Sequence, residues 1–358
     1  MLGVFVFFEK RMIDYIIVGF GLAGMSFVEQ LEQNKRSYVV FEDSSQKSSR
    51  VAGGLYNPVI LKRFTSSLTI SEQLKKAIPF YNKIEERLGK SFVEDLSILR
   101  IFNSIEEQNT WFQACDKPIL KKFLSTKLYK NHNEGLIVPF HFGKVNCTGR
   151  VLVKKMLLTY MEYIHGKELL ISESFEHHKL NICNDFVEYK GYKARNIVFA
   201  EGYGVTKNPF FGYLPLTGNK GEYIIIKTNK LKLKEAVKSS VFIIPLGNDL
   251  YKVGATYNNK DKSSENTEQA RKELQEQLER FLNTEYKIID QEAGIRPTTI
   301  DRKPLIGTHF EYKNIHILNG LGSRGIIAAP YLAQVLYRYI EIGEPLEKGI
   351  DICRFEKL

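Results

Sequence analysis

The first sharp feature of the hydrophobic pattern lies at residues 14–24. Ile16-Ile17-Val18 is a continuous β-branched run, as expected of a strand covered on both faces of a parallel sheet, and it stops at Gly19. From Leu22 to Gln33 the period becomes helical, with Leu22, Val28 and Leu31 on one face. A second buried strand, Tyr38 to Phe41, ends in Glu42. The pattern then predicts a helix over 71–88 closed by Gly89 and a short strand over 98–102. Ser104 and Glu107 form a capping box for a helix through Ala114, and Thr148 is placed to cap a helix from Arg150 to about His165. A strand over 168–172, an edge hairpin over 181–192 and a buried strand over 196–200 follow, the last ending in Glu201-Gly202-Tyr203-Gly204.

Beyond Leu214 the period drops to two. Strands over 221–227, 240–245 and 249–255 read as antiparallel, with Gly247-Asn248 as the hairpin turn between the last two. A polar helix over 265–283 is followed by a strand at 314–318, a glycine-rich loop over 319–325 and a helix from Ile326 to about Glu341. These two patterns predict an α/β chain. Residues 12–75, 145–205 and 291–358 form a Rossmann-like nucleotide-binding domain, interleaved with a largely antiparallel β-sheet substrate domain at 76–144 and 206–290.

Composition narrows the classes. In 358 residues, 43% are hydrophobic and 26% charged, which describes a globular chain. No run approaches the ~20 apolar residues of a membrane span. Cys115, Cys147, Cys183 and Cys353 are scattered without metal-ligand spacing, which suits a cytoplasmic protein and argues against structural zinc or a disulfide framework. Met1 to Phe8 lacks the positive region and cleavage site of a signal peptide, and Met12 reads as the translational start. The net charge of +10 admits a nucleic-acid partner, yet the lysines are dispersed and no arginine–aromatic stripe gathers them.

The chemistry is carried by glycines. In Gly19-Phe20-Gly21-Leu22-Ala23-Gly24, Gly19 permits the tight turn, Gly21 clears space for a pyrophosphate and Gly24 lets helix and strand pack closely. The helix N-terminus that follows favours phosphate. Glu42 stands 23 residues after Gly19, close to the offset of about 20 at which a carboxylate accepts a ribose diol and repels a 2′-phosphate, so NADP is disfavoured. Ala52-Gly53-Gly54 and Gly202 offer further close backbone approaches, and Gly322-Ser323-Arg324-Gly325-Ile326 opens a second helix.

Together with Val253-Gly254-Ala255-Thr256 and Gly294-Ile295-Arg296-Pro297, these motifs resemble the FAD-dependent family that includes D-amino acid oxidase, glycine oxidase and monomeric sarcosine oxidase. The resemblance runs from Met12 to the last helix. In the C-terminal motifs, and in Gly54-Leu55-Tyr56 and Leu214-Pro215-Leu216, it is greatest to the FAD domain of the bifunctional tRNA wobble-uridine modification enzyme. Lys220-Gly221-Glu222 departs from the Arg-Gly-Gln usual there. The resemblance implies FAD at Gly19, Gly21, Leu22, Ala23, Gly24, Glu42, Ala52, Gly53, Gly54, Gly202, Gly322, Ser323, Arg324, Gly325 and Ile326. The flavin is expected to be non-covalent, because no cysteine lies near the C-terminal glycine loop.

It further implies hydride transfer to flavin N5 from the carbon beside an amine nitrogen. Arg296 matches the arginine that grips a substrate carboxylate, and Arg324 a cation at the flavin N1–C2=O end; these are the expected catalytic residues. The leading expectation is oxidation of the C–N bond of a glycine-like or small amino acid. One alternative places the glycine unit on a tRNA wobble uridine; another is a flavin-binding scaffold or sensor without turnover.

Overall fold

The computed structural model describes residues 12–67 and 69–355; the suggested start at Met12 concerns residues before this range. The first sheet is built around Ile13–Val18, which pairs in parallel with Tyr38–Phe41 on one side and Tyr192–Phe199 on the other. Tyr192–Phe199 is shared along its length. Residues 192–194 take an antiparallel partner, Val187–Tyr189, and residues 197–199 take Ile315–Asn319 in parallel. Leu170–Ile171, Leu305–Thr308 and Asn181–Ile182 complete the edges. Four parallel strands therefore end side by side at Val18, Phe41, Phe199 and Asn319, the edge at which open α/β sheets bind ligands.

This sheet is buried on both faces. Leu22–Gln33, Ile70–Leu88, Val153–His165 and Gly325–Ile342 pack on one, through Val28, Leu31, Tyr81, Met156 and Leu332. Val205, Phe211 and Leu214 close the other against Phe199 and Ile317. The continuous apolar runs in the sequence follow from that double burial.

The second sheet draws on two distant stretches of chain. Its order is Lys287–Arg296, Asn219–Lys227, Leu250–Gly254, Phe242–Gly247, Ala236–Lys238, Ile98–Ile101, Phe142–Val145, Leu124–Tyr129. All neighbours run antiparallel except Ala236–Lys238 beside Ile98–Ile101. One face is covered by Glu268–Glu279, whose Leu274 and Leu278 meet Ile224, Val237 and Val253. The opposite face looks toward the end of the first sheet.

Several expectations are corrected. Thr148 does not cap a helix: its hydroxyl donates to the Leu96 carbonyl, 2.9 Å away. Gly149–Val151 is a strand between Leu55–Tyr56 and Val93–Asp95, so Arg150 is in a sheet, and the helix begins at Val153. Tertiary pairing overrides the local cap signal there. The polar helix is shorter, Glu268–Glu279, with Thr267 as the cap. The edge hairpin over 181–192 is present, Asn181–Ile182 pairing antiparallel with Val187–Tyr189, which turns again at Lys190 and Gly191 into Tyr192–Phe199.

Candidate active site

Gly19 has φ +94°, and a Cβ there would lie 2.6 Å from the Ala200 carbonyl oxygen. A Cβ at Gly24 would collide with the Gly19 carbonyl. Both glycines let the Leu22–Gln33 helix start hard against the sheet, with Leu22 and Ala23 buried in its first turn. Gly21 is different. Among the described residues its absent Cβ faces only the Ser49 side chain, 3.1 Å away at Oγ, so space is left in front of the helix N-terminus. Ser49 Oγ accepts the Leu22 amide at 3.1 Å, an oxygen standing where the helix end favours a phosphate oxygen. No motif in the sequence marks Ser49 for this position.

Glu42 is buried at the end of its strand. Its carboxylate accepts the amides of Phe20 and Ser44 and lies 3.3 Å from Arg50 Nη2. A carboxylate fixed beside the glycine turn suits a ribose diol. Gly202 has φ +58° at the neighbouring strand end, and its carbonyl accepts Asn319 Nδ2. These groups therefore converge on one edge, with the geometry of a dinucleotide cradle.

The remaining glycines join this edge to the second sheet. Ala52 ends the short Ser48–Val51 helix, and Gly53 packs so closely that a Cβ would come within 2.7 Å of Ile244 Cδ1. Gly54, at φ +78°, passes close to the Val151 carbonyl. Gly322, at φ +56°, donates its amide to the Pro297 carbonyl at 2.9 Å, and Ser323 is exposed beside it. The helix Gly325–Ile342 follows, fixed by a 2.7 Å hydrogen bond from the Tyr81 hydroxyl to the Ile326 carbonyl.

Arg324 precedes that helix, half-buried. No hydrogen bond or ion pair of its guanidinium is found among the described residues, and burial lowers its pKa. A desolvated cation without a counter-charge favours an incoming anion or a partly negative carbonyl.

On the second sheet the pleat and register bring Asn219, Gly221, Tyr223, Ile244, Lys252, Gly254, Glu292 and Arg296 onto the face that looks toward these loops. Glycines clear that face: a Cβ on Gly221 would collide with the Arg296 guanidinium, and one on Gly254 with the Tyr223 ring. Arg296 Nη1 donates to Asn219 Oδ1 (2.9 Å) and the Thr256 carbonyl (3.3 Å), and its guanidinium carbon lies 4.6 Å from the centre of the Tyr257 ring. It has no carboxylate partner among the described residues. Lys252 is buried over the Tyr223 ring and bonded to Glu292; its burial lowers the ammonium pKa. Sequence reasoning missed Tyr223, Lys252 and Tyr257, although the period-two pattern with glycines on one face is a usable signal.

A family described as "FAD dependent oxidoreductase" (DAO) matches residues 14–338. The chain belongs to this DAO family. Among solved structures, glycine oxidase from Geobacillus kaustophilus superposes with a TM-score of 0.79 at 18% identity, covering 96% of this chain and 98% of the other. Glycine oxidase from Bacillus cereus gives 0.77 at 21%, covering 93% and 96%. Curated relatives include the tRNA 5-methylaminomethyl-2-thiouridine biosynthesis bifunctional protein MnmC of Haemophilus ducreyi, 24% identical over 95% of this chain and 57% of the relative. MnmC of Shewanella halifaxensis is 25% identical over 43% of this chain and 30% of the relative. The chain thus spans between about a third and just over half of these relatives.

The DAO chain is an FAD-dependent oxidoreductase, and the cradle described above fits the cofactor: an open space before a helix N-terminus, a buried strand-end carboxylate, and glycine turns between the two sheets. Bound FAD supplies a two-electron acceptor at flavin N5. Gly53 against Ile244 and Tyr223 joins the loop to the second sheet. No helix among the described residues is long and apolar enough to cross a membrane, and no cluster of metal-ligating side chains occurs among them.

Proposed function

We propose that this enzyme oxidises the C–N bond of an amine that carries a glycine unit. The observation behind this is Arg296, a cation on the side of the sheet that looks toward the glycine loops, whose guanidinium is steadied by Asn219 and Thr256 but neutralised by no carboxylate among the described residues. A guanidinium fork is suited to a bidentate carboxylate. With the carboxylate held, the carbon between it and the nitrogen is the one presented for oxidation. The C–H bond gives its hydride to FAD and the nitrogen gives up a proton, leaving an imine. Water adds to the imine carbon and the C–N bond breaks, releasing the amine and glyoxylate, while an electron acceptor reoxidises the reduced flavin.

Anaerobic reduction of the bound flavin tests this. Glycine, sarcosine and larger N-carboxymethyl amines should bleach the flavin absorbance, with glyoxylate as product. Bleaching by D-alanine or proline with none by any glycine-unit amine would overturn the proposal.

A second reading places the glycine unit on a modified tRNA uridine. It is supported by curated relatives named for tRNA modification and by the exposed Tyr257 ring beside Arg296.

A further inference from the structure

A second concave site lies at one end of the antiparallel sheet, away from Arg296. Three stretches of chain distant in sequence close it: Arg100 and Asn103 at the end of Ile98–Ile101, Ser239 and Ser240 between Ala236–Lys238 and Phe242–Gly247, and Arg280 at the C-terminus of the helix Glu268–Glu279. The cavity measures about 220 Å³. Three strands separate Ala236–Lys238 from the strand of Arg296, about 19 Å at the usual strand spacing. Ser239 is buried, at 7% exposure, yet its hydroxyl has no hydrogen-bond partner among the described residues. Arg280 is exposed at the rim, and its guanidinium likewise has no partner among them; the adjacent Glu279 accepts the Tyr286 hydroxyl instead, at 2.9 Å. Arg100 is already held, by Glu107 and by the Lys238 and Ser239 carbonyls, and Asn103 Nδ2 also donates to Glu107. Lys238 stands behind the lining. Its ammonium donates to the Ser240 carbonyl at 2.5 Å, and burial, with Arg100 and Lys62 nearby, lowers its pKa to about 7.

Charge counting selects the occupant. With Arg100 and Glu107 cancelling, Arg280 and Lys238 remain without a carboxylate among the described residues, beside a buried hydroxyl that lacks a partner. A neutral ligand would leave the two cations uncompensated, whereas a dianion compensates both and gives the hydroxyl an acceptor. A carboxylate or a phosphodiester brings one negative charge; a phosphate monoester brings about 1.5 to 2 at pH 7. A guanidinium fork also matches phosphate oxygens in geometry. We propose that this cavity is a second ligand site, which binds phosphate, free or as a monoester, in its dianionic form. The Arg280 guanidinium and the Ser239 hydroxyl contact its oxygens, and Lys238 supplies charge from behind. The bound anion ties the C-terminus of Glu268–Glu279 to the ends of two strands of the sheet. This inference does not rest on the glycine-unit reading.

The test is isothermal titration calorimetry on the FAD-loaded enzyme, whose cofactor already fills the glycine cradle, with inorganic phosphate, methyl phosphate and dimethyl phosphate at matched ionic strength. The wild type should bind inorganic phosphate and methyl phosphate saturably and the singly charged diester more weakly. Arg280→Gln and Ser239→Ala should each weaken phosphate binding about ten- to hundredfold, the scale of one hydrogen bond to a charged group, with the flavin spectrum and far-UV circular dichroism unchanged. Arg296→Ala should bind phosphate as the wild type does; loss of binding there would put the anion at the amine site and overturn the inference. The absence of saturable binding to the wild type, wild-type affinity in both Arg280→Gln and Ser239→Ala, or equal affinity for dimethyl phosphate would each overturn it too. Methyl phosphate binding at least as tightly as inorganic phosphate assigns the site to a phosphorylated metabolite, and a preference for inorganic phosphate assigns it to the free ion. No turnover enters the measurement, so its failure leaves the glycine-unit proposal standing.

Discussion

At the scale of single residues the site turns on which cations keep a free charge. Lys220 stands where the Arg-Gly-Gln of the resembling motif has its arginine, and it is fully buried. It bonds Asp261 at 2.6 Å and lies 3.5 Å from Glu222, and it holds the Asp261 carboxyl down at about 2. Its charge is spent inside the sheet. Asp261 is 41 residues away in the chain, so nothing local could have signalled this. Arg296 differs: its anchors are neutral, an amide oxygen and a carbonyl. Arg296→Ala should leave the flavin spectrum intact while costing about 2–5 kcal/mol of transition-state binding, roughly thirty- to several-thousand-fold in kcat/KM on a carboxylated amine. Arg296→Lys should also be impaired, because one ammonium cannot bond Asn219 and still present a fork. Steady-state kinetics on matched amines with and without a carboxylate checks this; equal activity on both in Arg296→Ala would remove the arginine from carboxylate binding.

At the scale of elements, three strands are tied together by one side chain. His316, buried in Ile315–Asn319, meets Thr308 Oγ1 at Nδ1 (2.8 Å) and Asn196 Oδ1 at Nε2 (3.1 Å), one from each neighbouring strand. Burial pushes its pKa down to about 3. In the unfolded chain the same group titrates near 6.5, so between these values the unfolded state binds a proton that the folded state refuses. The stability held above about pH 6.5 should therefore be lost as pH falls toward 3, by about 1.4 kcal/mol per pH unit from this residue. Urea unfolding of wild type and His316→Gln at pH 7 and pH 5 should show the steeper loss in wild type; equal slopes would exclude it. The parallel strands and both glycine loops were legible in the sequence because apolar runs and turn glycines are local signals. The Gly149–Val151 strand was not, because its pairing with Leu55–Tyr56 and Val93–Asp95 is made by residues about 50 to 100 positions away.

At the scale of the whole molecule, the question is whether the glycine unit arrives free or on a polymer. Dispersed lysines and the lack of an arginine–aromatic stripe favoured a small amine in the sequence. The fold assembles a different surface: the loops on either side of Arg296 are joined by Thr217 and Ile300 amides donating to Thr298 and Pro215 carbonyls. They carry exposed Tyr213 and Ile300, and Phe310 packs edge-on to Tyr213. Lys207, Arg302, Lys303 and Lys313 are exposed on the same loops or the segments adjoining them. Because these residues come from separate stretches of chain, no linear motif shows them. If this surface receives RNA, log KM for tRNA carrying the modified uridine should rise steeply with log salt, by about 0.7 to 0.9 per phosphate neutralised. The free nucleoside, held by one ion pair at Arg296 under the proposed function, should show a much flatter dependence. Arg302→Ala combined with Lys303→Ala should lower the tRNA slope by roughly one to two while leaving the nucleoside slope in place. Flavin reduction kinetics over a salt series reads both slopes from one preparation. Parallel slopes for the two substrates, with no effect of the double variant, would mean that the enzyme reads only the glycine unit and its attached ring.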